Sequence, residues 1–112
     1  ETQNYELNAG DQPKSPGLKH KHYSPSAQVL ILDFKFEISN LREPSAYIGM
    51  NARGERFQIT RICRSIEEYA HSIFEFLREC DRQGITTIYC ETVEETGIGS
   101  ALMDRLRRAA ES

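Results

Sequence analysis

Apolar residues along this chain fall into runs whose spacing differs from place to place. The first, QVLILDF (Gln28–Phe34), is continuous and rich in β-formers, the pattern of a strand buried on both faces. KFEISNLREPS follows, extending the strand or forming one helical turn, and Pro44 bounds it. AYIGM (Ala46–Met50) predicts a second strand, and NARGE after it has turn chemistry, since Asn51 and Gly54 tolerate positive φ. RFQITRIC (Arg56–Cys63) sets Phe57, Ile59 and Arg61 against Gln58, Thr60 and Ile62, a third strand of ambiguous facing.

The period then changes to that of a helix. Ile66, Tyr69, Ala70, Ile73, Leu77 and Cys80 recur at steps of three and four, and Phe74 and Phe76 widen the stripe. Ser65 and Glu68 form an S-x-x-E capping box ahead of it. Arg78 and Arg82 suit the carboxyl end of the helix dipole, and Gly84 is a left-handed stop. ITTIYCE (Ile85–Glu91) predicts a fourth strand, TVEETGIG a loop, and SALMDRLRRAA (Ser100–Ala110) a second helix with Leu102, Leu106 and Ala109 or Ala110 inward.

Strand, strand, strand, helix, strand, helix predicts an α/β layer structure with a mainly parallel sheet of about four to five strands. The unit from Arg56 to Glu91 is expected to be a right-handed parallel crossover. The step from Val29 to Met50 is too short for a long crossover helix, so the strand order there is open. Residues 1–26 differ in kind. Tyr5, Leu7, Leu18 and Tyr23 are their only large apolar side chains, too few to offset the entropy of ordering the segment alone. This divides the chain into an extended linker (1–26) and a folded domain (27–112).

The 112 residues are enough for one domain with a modest core. A net charge of −3 argues against a general nucleic-acid or anionic-membrane binder. No apolar run reaches membrane-span length and no signal-peptide pattern is present. Cys63, Cys80 and Cys90 are odd in number and lack CxxC spacing, so they are expected to be reduced, mostly buried thiols of a cytosolic protein. The absence of an initiator Met suggests an excised or processed piece.

Several stretches carry candidate chemistry. ETGIGSAL joins a strand to a helix with G-x-G, which can cradle a phosphate. The third fingerprint glycine, however, falls at Leu102, the strand is the last, and Glu91, Glu94 and Glu95 crowd the site with negative charge. Gly97 and Gly99 are therefore expected to serve the turn and close helix packing. Asp33, Glu91, Glu94 and Glu95 could meet at the carboxyl edge of a parallel sheet and hold Mg²⁺ through water, but solvated loop acids are the commoner outcome. Cys90 has no visible relay, His71 being the only histidine of the folded part. In SPGLKHKHYSP (Ser15–Pro25), His20 and His22 alternate with Lys19 and Lys21, cations that disfavour a metal. The lysines and Tyr23 suit an anionic, planar group such as a nucleotide. A solvated basic linker is the plainer reading.

That stretch resembles the interdomain linker of two-domain threonylcarbamoyl-AMP synthases, the longer members of the YrdC-like family, with the pattern S-P-G-(M/L)-K-Y-x-H-Y-x-P. Ser15, Pro16, Gly17, Leu18, Lys19, His22, Tyr23 and Pro25 match, and His20 stands where the family has tyrosine. GIGSALMDRLRRAA and YAHSIFEFLRECDRQGITTIYCE are similar to the family's closing helix and to the helix and strand before it. Phe34 to Arg56 matches poorly, with an expected helix shortened or lost.

The resemblance implies a small Rossmann-like three-layer domain, accessory to an absent YrdC-like catalytic domain. That domain makes threonylcarbamoyl-AMP and pyrophosphate from threonine, bicarbonate and ATP, for threonylcarbamoyladenosine modification of tRNA. By the resemblance, Lys19, His22 and Tyr23 face the nucleotide or product, while Ser15, Pro16, Gly17 and Pro25 shape the linker's path. ATP, with Mg²⁺, belongs to the full-length enzyme. No cofactor and no turnover are expected of this chain alone. Its implied partners are the catalytic domain, that domain's ligands and, indirectly, tRNA-pathway enzymes, in the cytoplasm and without a membrane. Pairing of two copies is feasible. The alternative is a free-standing α/β nucleotide-binding or protein-interaction module using the Gly97–Gly99 turn.

Overall fold

The computed structural model describes residues 25–111. Four strands, β1 (Gln28–Leu32), β2 (Ser45–Gly49), β3 (Ile59–Ile62) and β4 (Thr87–Glu91), form one sheet, with helices α1 (Ile66–Arg82) and α2 (Ile98–Glu111). The strand order is β1-β4-β2-β3 and every pairing is parallel. The expected α/β class and parallel sheet are thus present, with four strands.

β1 packs on both faces, as its apolar run predicts, with Val29 buried on one side and Leu32 on the other. β1 is an edge strand, and Leu30 and Ile31 are only half-buried. The fully covered strands are β2 and β4, each buried at all five positions. A continuous apolar run identifies a strand but not its place in the sheet: both faces of β1 meet protein, while its outer edge pairs with no other strand among the described residues. The unit from β3 through α1 to β4 is parallel, as expected, but β2 lies between its two strands.

Strand alternation sorts the core into two faces. Val29, Ala46, Ile48, Ile88 and Cys90 point to one side and pack against Tyr69, Ile73, Leu77, Leu102 and Leu106 of the two helices. Leu32, Tyr47 and Tyr89 point to the other, where they meet Ile38, Leu41 and Phe57. No helix covers this second face among the described residues. The third layer is irregular chain, which is why residues 33–44 can link parallel strands without a crossover helix.

Local chemistry sets the ends of α1. Ser65 accepts from the Glu68 amide (3.1 Å). The Glu68 carboxylate reaches back one residue further than the usual box, to the Arg64 amide (3.1 Å). At the other end Gly84 takes φ 73°, its amide donates to Asp81 O, and the Ile85 amide donates to Cys80 O. This is a Schellman closure, sealed by the buried side chains of Ile85 and Cys80. The chain enters β1 from a buried Pro25, and the Ser26 amide donates to the Asp81 carboxylate (3.0 Å), tying that entry to the end of α1.

Candidate functional site

Ligands of open parallel sheets usually bind at the carboxyl edge of the strands, where β2 and β4 end at Gly49 and Glu91. Glu91 is buried, and its carboxylate is ringed by donors. The Met50 amide (2.6 Å), the Asn51 amide (3.1 Å) and Asn51 Nδ2 (2.6 Å) all donate to it. The Tyr47 hydroxyl lies 3.2 Å from Glu91 Oε1 and 2.6 Å from Asn51 O, so its single proton is shared between them. Burial, then the adjacent Glu91 charge, pushes the Tyr47 hydroxyl well above the ordinary tyrosine range. From α1, the Tyr69 hydroxyl donates to Glu91 O (2.7 Å), and burial raises its pKa as well.

Gly49 makes this arrangement possible. A Cβ there would lie 2.4 Å from the Tyr47 hydroxyl and 2.6 Å from Glu91 Oε1. Sequence reasoning flagged Glu91 only as one of four acids and missed Tyr47 and Asn51. A glycine inside an otherwise apolar strand was the available signal, since it marks a close approach of neighbouring groups.

The four acids do not form one site. Asp33 caps the Lys35 amide (2.8 Å) on an exposed turn. Glu94 is exposed, and Glu95 pairs with Arg107. No group of three or more metal-ligating side chains occurs among the described residues, and the oxygens of Glu91 are already occupied by protein donors. The described residues therefore do not fit a Mg²⁺ ion at this edge. Cys90 is fully buried, its thiol raised by burial, and His71 is exposed on α1. Cys63 and Cys80 are buried free thiols too, and burial lifts Cys80 to about 12.

At the glycine turn, Gly97 takes φ 56°, while the Gly99 Cβ position lies 2.0 Å from Glu94 O. The Gly99 and Ser100 amides donate to Thr96 O (3.0 Å) and Gly97 O (3.1 Å). The room a dinucleotide's pyrophosphate needs against the second glycine is thus filled by the chain's own backbone. Of the linker residues, Ser15, Pro16, Gly17, Lys19, His22 and Tyr23 lie outside the described residues. Pro25 is the one that lies within them.

Arg53 extends the closed edge. Its side chain is 5% exposed, pairs with Glu55 (2.8 Å), and donates to Phe34 O (3.0 Å) and Phe36 O (2.6 Å), pinning the segment after β1 to the one after β2. Arg53→Met should lower stability by roughly 2–3 kcal/mol at neutral pH, because it leaves two carbonyls and a carboxylate without their donor. The Arg53 hydrogen bond holds the Glu55 carboxyl below its usual range. That contribution is fully present above the unfolded value of about 4.3 and is lost as pH falls through the lowered folded value. Denaturation of parent and variant from pH 6 down to about pH 2.5 should show the gap between them narrowing on the acid side.

A parallel sheet with helices on one face, and a carboxyl edge closed by its own side chains, defines a small Rossmann-like α/β module. The family model described as "Threonylcarbamoyl-AMP synthase, C-terminal domain" matches residues 1–111, and the chain belongs to that family. Threonylcarbamoyl-AMP synthase of Pyrococcus abyssi (strain GE5 / Orsay) is 35% identical over 111 residues, covering 89% of this chain and 33% of its own length. The Bacillus subtilis (strain 168) protein of the same name is 27% identical over 113 residues, with coverages of 89% and 33%. Among solved structures, P. abyssi Sua5 complexed with L-threonine matches with a TM-score of 0.64 and 30% identity, over 93% of this chain and 34% of that one. A P. abyssi Sua5 variant in which a histidine and the tyrosine beside it are replaced by alanine matches with a TM-score of 0.53 and 36% identity, over 59% and 20%. The chain spans about a third of the length of the curated relatives it matches. No helix among the described residues is long and apolar enough to cross a membrane.

Proposed function

We propose that this chain is the accessory C-terminal domain, with its active-site-covering linker, of an L-threonylcarbamoyladenylate synthase. A YrdC-like catalytic domain joins threonine, bicarbonate and ATP into threonylcarbamoyl-AMP and releases pyrophosphate, in the cytoplasm, for tRNA modification. The observation that carries this reading is a family match running from residue 1 through the linker to residue 111. The closed carboxyl edge supports it, since the folded part is built to hold its own chain there rather than a substrate.

Within this reading the linker is the functional element. Lys19 supplies a point charge for a phosphate, Tyr23 stacks or donates, and His22 hydrogen-bonds the nucleotide or anchors the linker. Ser15, Pro16, Gly17 and Pro25 restrict its path, which lowers the entropy lost on docking. His22–Tyr23 is the only adjacent histidine–tyrosine pair in this chain, the kind of pair replaced in the P. abyssi variant. The 112-residue chain alone, given threonine, bicarbonate and ATP, should release no pyrophosphate above background. Joined to a YrdC-like domain it should do so, and turnover by the isolated chain would overturn the reading.

The alternative of a free-standing nucleotide-binding module has less support, because the Gly99 cradle is filled. Calorimetry with ATP and AMP checks it: millimolar nucleotide should give no saturable heat on the 112-residue chain.

A further inference from the structure

We propose that the cleft at the amino ends of β2 and β3 binds the zwitterionic head of a free α-amino acid. The cleft has a volume of about 340 Å³ and is lined by Glu43, Pro44, Ser45, Arg56, Phe57 and Gln58. Small-molecule sites span roughly 300–1,000 Å³, so the space suits one small metabolite. It lies at the opposite end of the sheet from Glu91.

The charges are what select the ligand. Glu43 precedes β2 and Arg56 precedes β3, so the two segments flanking the cleft bring opposite charges to it. Neither side chain has a hydrogen bond or ion pair with another described residue. A guanidinium takes a carboxylate through two parallel hydrogen bonds, and a carboxylate takes an ammonium. One molecule carrying both groups on the same carbon satisfies both walls, whereas a phosphate or a simple cation satisfies one and is repelled by the other. Phe57 offers an apolar wall held by stacking on Tyr47, with centroids 5.2 Å apart. Ser45 forms part of the cleft's floor, and its buried hydroxyl has no hydrogen-bond partner among the described residues. This site goes beyond the proposed function and stands whether or not that reading holds.

The test is an NMR titration of the ¹⁵N-labelled 112-residue chain with L-threonine, N-acetyl-L-threonine and L-threoninamide. L-threonine should shift the amides of Ser45, Phe57 and Gln58 saturably, with a Kd in the ~millimolar range, and each analogue should bind ~10-fold more weakly. Arg56→Gln should weaken L-threonine and the N-acetyl compound while sparing the amide. Glu43→Gln should weaken L-threonine and the amide while sparing the N-acetyl compound. Both side chains are exposed, so the spectra of the variants should otherwise match the parent. Absence of saturable shifts below ~50 mM, or loss of the crossed pattern, overturns the site. Shifts of the cleft amides on deletion of residues 1–24, with no response to threonine, would assign the cleft to the chain's own front segment and likewise overturn it.

Discussion

Glu91→Ala should destabilise the folded domain by roughly 3–5 kcal/mol, a large part of the 5–15 kcal/mol that holds a typical domain together. The loss is large because one carboxylate serves several donors at once. Removing it strands the Met50 and Asn51 amides and the Asn51 side chain. It also opens a cavity beneath Tyr47 and Gly49. A fully buried stranded donor costs about 1–3 kcal/mol; these donors are only part-buried, so water relieves some of that cost. Glu91→Gln keeps the shape and one acceptor, so it should lose roughly half as much. Urea denaturation at pH 7 checks this: the midpoint should fall in the order parent, Gln, Ala with the slope unchanged. A shift below about 1 kcal/mol for Ala would mean that the site is not held by this carboxylate.

Gly99→Ala should cost about 2–4 kcal/mol, although helix propensity alone predicts a gain of nearly 1 kcal/mol. The new methyl would lie 2.0 Å from Glu94 O, a backbone atom of the loop from β4 to α2. Backbone cannot swing aside as a flexible side chain does, so the loop or the first turn of α2 must move, with Val93 behind it. Gly97→Ala is a useful contrast. Nothing lies within 4 Å of its Cβ position, and only the φ of 56° is unfavourable, a penalty of about 1 kcal/mol. Thermal melts of the two variants should therefore separate packing from backbone conformation. A stabilised Gly99→Ala would show that propensity outweighs the contact.

Much of the fold was legible because it rests on local signals. The stripe from Ile66 to Cys80, its Ser65 cap and its Gly84 stop lie where the periodicity and capping chemistry place them, because a helix's pattern and ends are written within a few residues. The strands were found but not their order. Which strand is central depends on pairings between residues about 40–60 positions apart, and on β4 inserting between β1 and β2, which no local pattern records. Residues 33–44 were ambiguous for a related reason: Ile38 and Leu41 cover a sheet face without adopting a repeating conformation.

The closed carboxyl edge was the least legible part. Glu91 in the sequence is one acid among several, and its burial depends on Gly49, Tyr47 and Asn51, some forty residues earlier. The linker was the reverse. Composition gave only a stiff basic segment, and the resemblance of Ser15–Pro25 to a known interdomain stretch supplied the rest, carried by residue identity rather than by physical pattern.

The most direct measurement is therefore on the linker in a full-length enzyme that contains this chain behind its YrdC-like domain. Tyr23→Ala should lower kcat/KM for threonylcarbamoyl-AMP formation by ~10-fold or more, while leaving the unfolding midpoint of the domain unchanged. Unchanged kinetics in that variant would contradict a linker that covers the active site.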